Sequence, residues 1–150
     1  MKTPDPSRRL CSSLAMLAAV FLLSGCGAKQ GIADAEVVVV RHFSVLATNG
    51  VTVALADYGP QFFAKVKKED WSKALEKIPA KLGDYQSHSV AGRKYFVKAG
   101  TDSGTYIDLV CQVNYSKHRA QEKFRLFRAD STTDFKIIGH FISSEGFLKE

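Results

Sequence analysis

The chain is poor in the residues that usually advertise chemistry. Among its 150 residues are three cysteines, two methionines and one tryptophan. The cysteines stand far apart, at Cys11, Cys26 and Cys111. They cannot form the dense disulfide framework of a small secreted scaffold, and without a C-x-x-C pair they offer no zinc or dithiol chemistry. His42, His88, His118 and His140 are isolated and show no H-x-x-x-H spacing, so no metal site and no cofactor is expected. Residues 99–104 are glycine-rich but lack the G-x-x-x-x-G-K-[ST] pattern that cradles a phosphate. Lysines and arginines form no run of five, which argues against a nucleic-acid partner. The apolar run 10–23, at 14 residues, is too short to span a bilayer, which takes about 20.

What is present begins at the N-terminus. Lys2, Arg8 and Arg9 precede the apolar run, and small residues close it, the order of a secretory signal. The closing stretch, Leu23-Ser24-Gly25-Cys26, resembles the lipobox of bacterial lipoproteins, where a signal peptidase cuts before a cysteine whose thiol carries diacylglycerol. The resemblance implies that residues 1–25 are a signal peptide, that Cys26 carries acyl chains of the palmitate kind, and that these chains hold the protein on a membrane. Each buried CH₂ contributes about 0.8 kcal/mol, and two or more chains anchor stably. Gly27, where an inner-membrane signal has Asp, implies the periplasmic face of the outer membrane. Removing the segment takes Lys2, Asp5, Arg8 and Arg9 with it, lowering the formal charge from +6 to +4. Only Cys111 then remains as a free thiol, so packing must hold the fold.

Residues 26–33 are expected to be a lipidated cysteine and short tether, and residues 34–150 one domain. Asp34 is placed to cap a helix. The valines at 37–40 suit a strand, yet Val39, Val40, Phe43, Leu46 and Ala47 form a helical stripe, and helix is expected, ending at Asn49-Gly50. A short helix follows over 51–57, and Pro60 opens another turn carrying Phe62 and Phe63. Trp71, Leu75, Ile78 and Leu82 repeat at helical spacing, with Pro79 disturbing the last turn and Gly83 closing it.

Beyond Gly83 the period changes to two. Ile107, Leu109, Cys111, Val113 and Tyr115 alternate with Tyr106, Asp108, Val110, Gln112 and Asn114, a strand with one packed face. Strands are also expected over 85–98, interrupted near Ala91-Gly92, and over 119–129 and 135–143. On the third strand Glu122, Phe124 and Leu126 share the face more suited to burial, and Lys123, Arg125 and Phe127 the other. The expectation is an α+β domain, with N-terminal helices on one face of a curved four-stranded antiparallel sheet.

The series Phe62-Phe63, Trp71-Ser72-Lys73-Ala74-Leu75, Lys81-Leu82-Gly83, Glu122-Lys123-Phe124-Arg125-Leu126 and Phe135-Lys136-Ile137-Ile138-Gly139-His140-Phe141-Ile142 resembles the domain of unknown function 4019 family. That resemblance implies a cystatin-like or nuclear transport factor 2-like cone. It implies no reaction, because such folds host isomerases, dehydratases, carriers and assembly modules.

Cone-fold isomerases place a carboxylate base and a tyrosine inside the cone. The corresponding candidates are Tyr106 and Asp108, with Gln112, although these share the polar face of their strand. His140 alternates with Ile138 and Ile142 and is a candidate for an inward or ligand-facing position. Trp71 belongs to the core stripe or to a ligand platform. Cys111 lies among apolar neighbours and is expected to be inert. Lys117, Arg119, Lys123, Arg125, Arg128 and Lys136 offer a basic face to anionic lipid or an acidic partner. The reading that results is a non-catalytic, lipid-anchored envelope domain binding a partner protein or a small apolar ligand. An isomerase- or dehydratase-type enzyme using Tyr106 and Asp108, and an assembly module of an envelope machine, are the alternatives.

Overall fold

The computed structural model describes residues 10–148, with side chains from residue 27 onward. Lys2, Arg8 and Arg9, and the side chains of Leu23, Ser24 and Cys26, lie outside what is described. Among the described residues no helix is long and apolar enough to cross a membrane.

Helix α1 spans Leu10–Thr48 without a break. The expected tether is therefore helical from residue 27 onward. Gly31 is buried against the ring of Tyr95, so this stretch is packed on the sheet instead of hanging free. Asp34 sits mid-helix, where the amides ahead of it already have partners, and its carboxylate accepts from Gln30 at 2.7 Å and Arg128 at 3.2 Å instead of capping. The buried face of α1 is Ala35, Val38, Val39, His42 and Phe43. Val40 and Ala47, expected inside, are exposed, and His42 takes the inward place.

Helix α2 (Val51–Ala54) runs into a 3₁₀ turn (Leu55–Asp57), and α3 (Pro60–Phe63) opens at Pro60, whose missing N–H costs nothing in a first turn. The Trp71 stripe divides into α4 (Lys68–Glu76) and α5 (Ile78–Leu82), because Pro79 cannot continue the hydrogen-bond ladder and instead occupies the first turn of α5. Leu75, Ile78 and Leu82 are buried, and Trp71 is half-buried. Gly83, at φ +88°, turns the chain toward the sheet. A Cβ there would meet the Ser116 hydroxyl at 2.1 Å.

The strands β1 (Tyr85–Lys98), β2 (Gly104–Tyr115), β3 (Arg119–Ala129) and β4 (Lys136–Ser143) form one open antiparallel sheet in the order β1-β2-β3-β4. The interruption expected near Ala91-Gly92 is a bulge within a continuous β1. Alternation holds on β2, where Ile107, Leu109, Cys111 and Val113 are at most 1% exposed. A second bulge matters more. β4 slips by one residue opposite Arg125 and Leu126, so Ile138 is extra, and Ile137 and His140 both face inward.

Candidate functional site

The inner face of the sheet is largely apolar, and a row of polar groups crosses it. Glu122 shares its face with Phe124 and Leu126, and a buried carboxylate needs donors. Tyr115, at the end of β2, donates its hydroxyl to Glu122 Oε1. Glu122 Oε2 lies 2.8 Å from His140 Nε2. The other ring nitrogen of His140, Nδ1, is 2.7 Å from the Tyr58 hydroxyl, which in turn lies 3.3 Å from His42 Nε2. His42 Nδ1 faces Asp57 Oδ2 at 3.4 Å, and Asp57 Oδ1 is bound by Arg41 at the surface. The row thus crosses the core from β2 to the outer edge of α1.

Each member is placed by local structure. Arg41 and His42 are adjacent on α1, so one points to solvent and its neighbour to the core. Asp57 and Tyr58 end the 3₁₀ turn, and the Gly59 amide donates to the Ile137 carbonyl at 2.9 Å, tying this turn to β4. The bulge at Ile138 brings His140 over Phe124, ring centres 4.1 Å apart.

Burial decides the protonation of several members. It holds the His140 imidazole below its ordinary range, with His42 adding to the effect and the Glu122 carboxylate opposing it. Burial would raise the Asp57 carboxyl, but His42 and Arg41 together outweigh it and hold it below the ordinary carboxylate range. The hydroxyls of Tyr58 and Tyr115 are pushed well up, by burial first and then by the charge of Glu122.

Three hydrogen bonds join His42, Tyr58, His140 and Glu122, whereas His42 Nδ1 and Asp57 Oδ2, 3.4 Å apart, have no hydrogen-bond partner. With Tyr58 donating to His140 Nδ1, His140 Nε2 donates to Glu122. Both nitrogens of His140 are thereby engaged.

Tyr115 also lines a cleft of about 500 Å³ between the end of α1, α4–α5 and the sheet. Phe43, Leu46, Val51, Leu75, Ile78 and Tyr85 provide most of its wall, with Glu76 and Asp84 at its polar margin.

The sequence candidates are distributed differently. Tyr106 and Asp108 lie on the outer face, not inside a cone. Asp108 accepts two hydrogen bonds from Arg125, at 2.7 and 2.8 Å, and Tyr106 donates to the Asp102 carbonyl at 3.0 Å. Tyr106 also stacks on Phe96 and packs, tilted, against Phe127, ring centres 5.1 and 4.7 Å away, and Gln112 is exposed. Arg125 is thereby neutralised within the basic face. Cys111 is buried, its thiol pushed up to about 12 by burial and then by Glu122 and Glu36. Among the described residues no group of three or more His, Cys, Asp or Glu side chains converges on a metal position. The members of the row are distant in sequence, so no local pattern reveals it; Glu122 on a burial-prone face and His140 as an inward candidate are the signals that the sequence carries.

No family model, curated protein or solved structure matches this chain.

Proposed function

We propose that the chain is a lipid-anchored envelope protein whose domain, of the cystatin-like or nuclear transport factor 2-like cone type, binds a small, largely apolar ligand. The supporting observation is the 500 Å³ cleft, whose wall is mostly aliphatic and aromatic, with Thr52, Glu76, Asp84 and the tyrosine hydroxyls as its polar groups. Such a lining recognises an apolar body and orients it with one or two polar atoms. The lipobox resemblance supports the reading that acyl chains on Cys26 hold the protein on the periplasmic face of the outer membrane. The likeness to the domain of unknown function 4019 family rests on the aromatic and strand residues given above.

The ligand reading is tested by native mass spectrometry of residues 27–150 exported to the periplasm of the source bacterium and purified without detergent. A reproducible excess mass, lost in Leu46→Trp, supports it. A clean apo mass in both proteins defeats it. The anchor reading is tested separately. Cys26→Ser should abolish acylation and leave an unprocessed precursor, whereas normal processing and membrane retention would refute it.

A further inference from the structure

A second surface is independent of that cleft. β4 is an edge strand, and only its first half is covered: Tyr58 bridges Ile137, and the Gly59 amide donates to the Ile137 carbonyl. Among the described residues, no backbone group of 139–143 has a backbone partner outside the sheet. Beside this open half runs a groove of about 370 Å³. Trp71, Ala74 and Ile78 form one wall, and Phe141, Ile142 and Phe147 the other. Phe141 is 61% exposed and Leu148, just beyond, 84%. A bare edge flanked by exposed aromatic side chains is what sheet proteins ordinarily avoid, and a contiguous apolar patch of this kind marks an interaction site. Lys77 and Lys81 stand on the rim, and among the described residues neither has an acidic partner within salt-bridge distance.

We propose that the open half of β4 and the groove beside it bind an extended segment of a partner protein as a fifth strand, one whose groove-facing side chains are apolar with an Asp or Glu where they reach the lysine rim. The unpaired backbone calls for an extended chain, the period of two sends every second side chain into the groove, and Lys77 and Lys81, which line that same groove, select an acidic residue among them. A second copy of this chain fits poorly, because edge-to-edge pairing would bring two lysine rims together. A membrane fits poorly too. Along α1, Gly31 meets Tyr95 while Phe43 meets Phe124, roughly 18 Å further on, and the groove lies at the Phe124 end, paired through His140. It therefore lies far along α1 from the Gly31 end, where that helix enters the domain.

The experiment is selection of random 12-residue peptides displayed on phage against the whole chain, with the selected peptides then titrated by fluorescence of Trp71, the one tryptophan. The expected winners carry apolar residues at every second position with an acidic residue in the same register, slow amide exchange at 139–143, and bind at least about ten-fold more weakly to the Ala74→Arg/Lys77→Glu/Lys81→Glu variant, whose fold is checked by circular dichroism. Failure to enrich peptides, winners of another pattern, or equal binding to the variant would overturn the proposal. So would a Trp71 response to phosphatidylglycerol vesicles alone, or saturation of the groove by dimerisation. The cleft reading is unaffected by any of these, since Leu46 and the ligand mass report on it separately.

Discussion

Two carboxylates on neighbouring strands show what burial does to the same chemistry. Asp108, on the outer face, accepts two bonds from Arg125, directly opposite on β3, yet the arginine side chain is 53% exposed and water competes for both partners. Glu122, on the inner face, is 1% exposed and depends wholly on Tyr115 and His140. The outer pair has the more regular geometry. The inner group carries the larger consequence, because nothing replaces a partner removed from a dry site.

The largest test of that contrast is Glu122→Ala, which strips the acceptor from two buried donors. It should destabilise the domain by about 3–5 kcal/mol, read from urea denaturation. A loss below about 1 kcal/mol would place Glu122 in contact with water and erase the difference between the faces.

Acid should attack the inner row selectively. His140 is held below 6.5 when folded, so as pH falls past that value the unfolded chain binds a proton that the folded chain refuses, and stability drops. The slope contributed is at most about 1.4 kcal/mol per pH unit for one proton. Asp57, held below 3.8, loses its contribution only as pH falls through its depressed value. His88, also lowered by burial, adds the same sign as His140. Stability measured from pH 7.5 to 4.5 should therefore fall, and His140→Gln, which keeps a donor and an acceptor, should flatten the upper part of that fall. An unchanged slope in the variant would assign it elsewhere.

Tyr115→Phe removes one donor from Glu122 and leaves His140, so a loss of about 1–2 kcal/mol is expected by the same denaturation measurement. Asp108→Ala should cost less than about 1 kcal/mol, as partly exposed pairs do, and should leave ligand mass and peptide binding unchanged. If instead it abolished a measurable activity, the outer face would be the functional one and the comparison would be reversed.

Much of the architecture was legible because it depends on local patterns. The change from a helical period to a period of two at Gly83, the alternation of Ile107 through Tyr115, and the pairing of Glu122 with Phe124 and Leu126 on one face all follow from side-chain direction in regular elements. Errors arose where tertiary packing overrode the local signal. Gly31 and Asp34 suggested a tether and a cap, but the sheet supplies Tyr95 and Arg128 to a continuous helix. His140 was assigned a phase with Ile138, and the bulge moved that residue out of step.

By itself the sequence determined the element order, the apolar face of the second strand, the small charge, the scarcity of usable cysteine and the lipobox-like stretch, because each is a property of neighbouring residues. Only the tertiary structure decided that His42, Tyr58, Glu122 and His140, up to 98 positions apart, share one hydrogen-bonded row, and that Tyr106 and Asp108 do not share its interior. The reason is physical: a helical or strand period says which side of its own element a residue occupies, whereas the partners of a buried polar group are chosen by packing between elements.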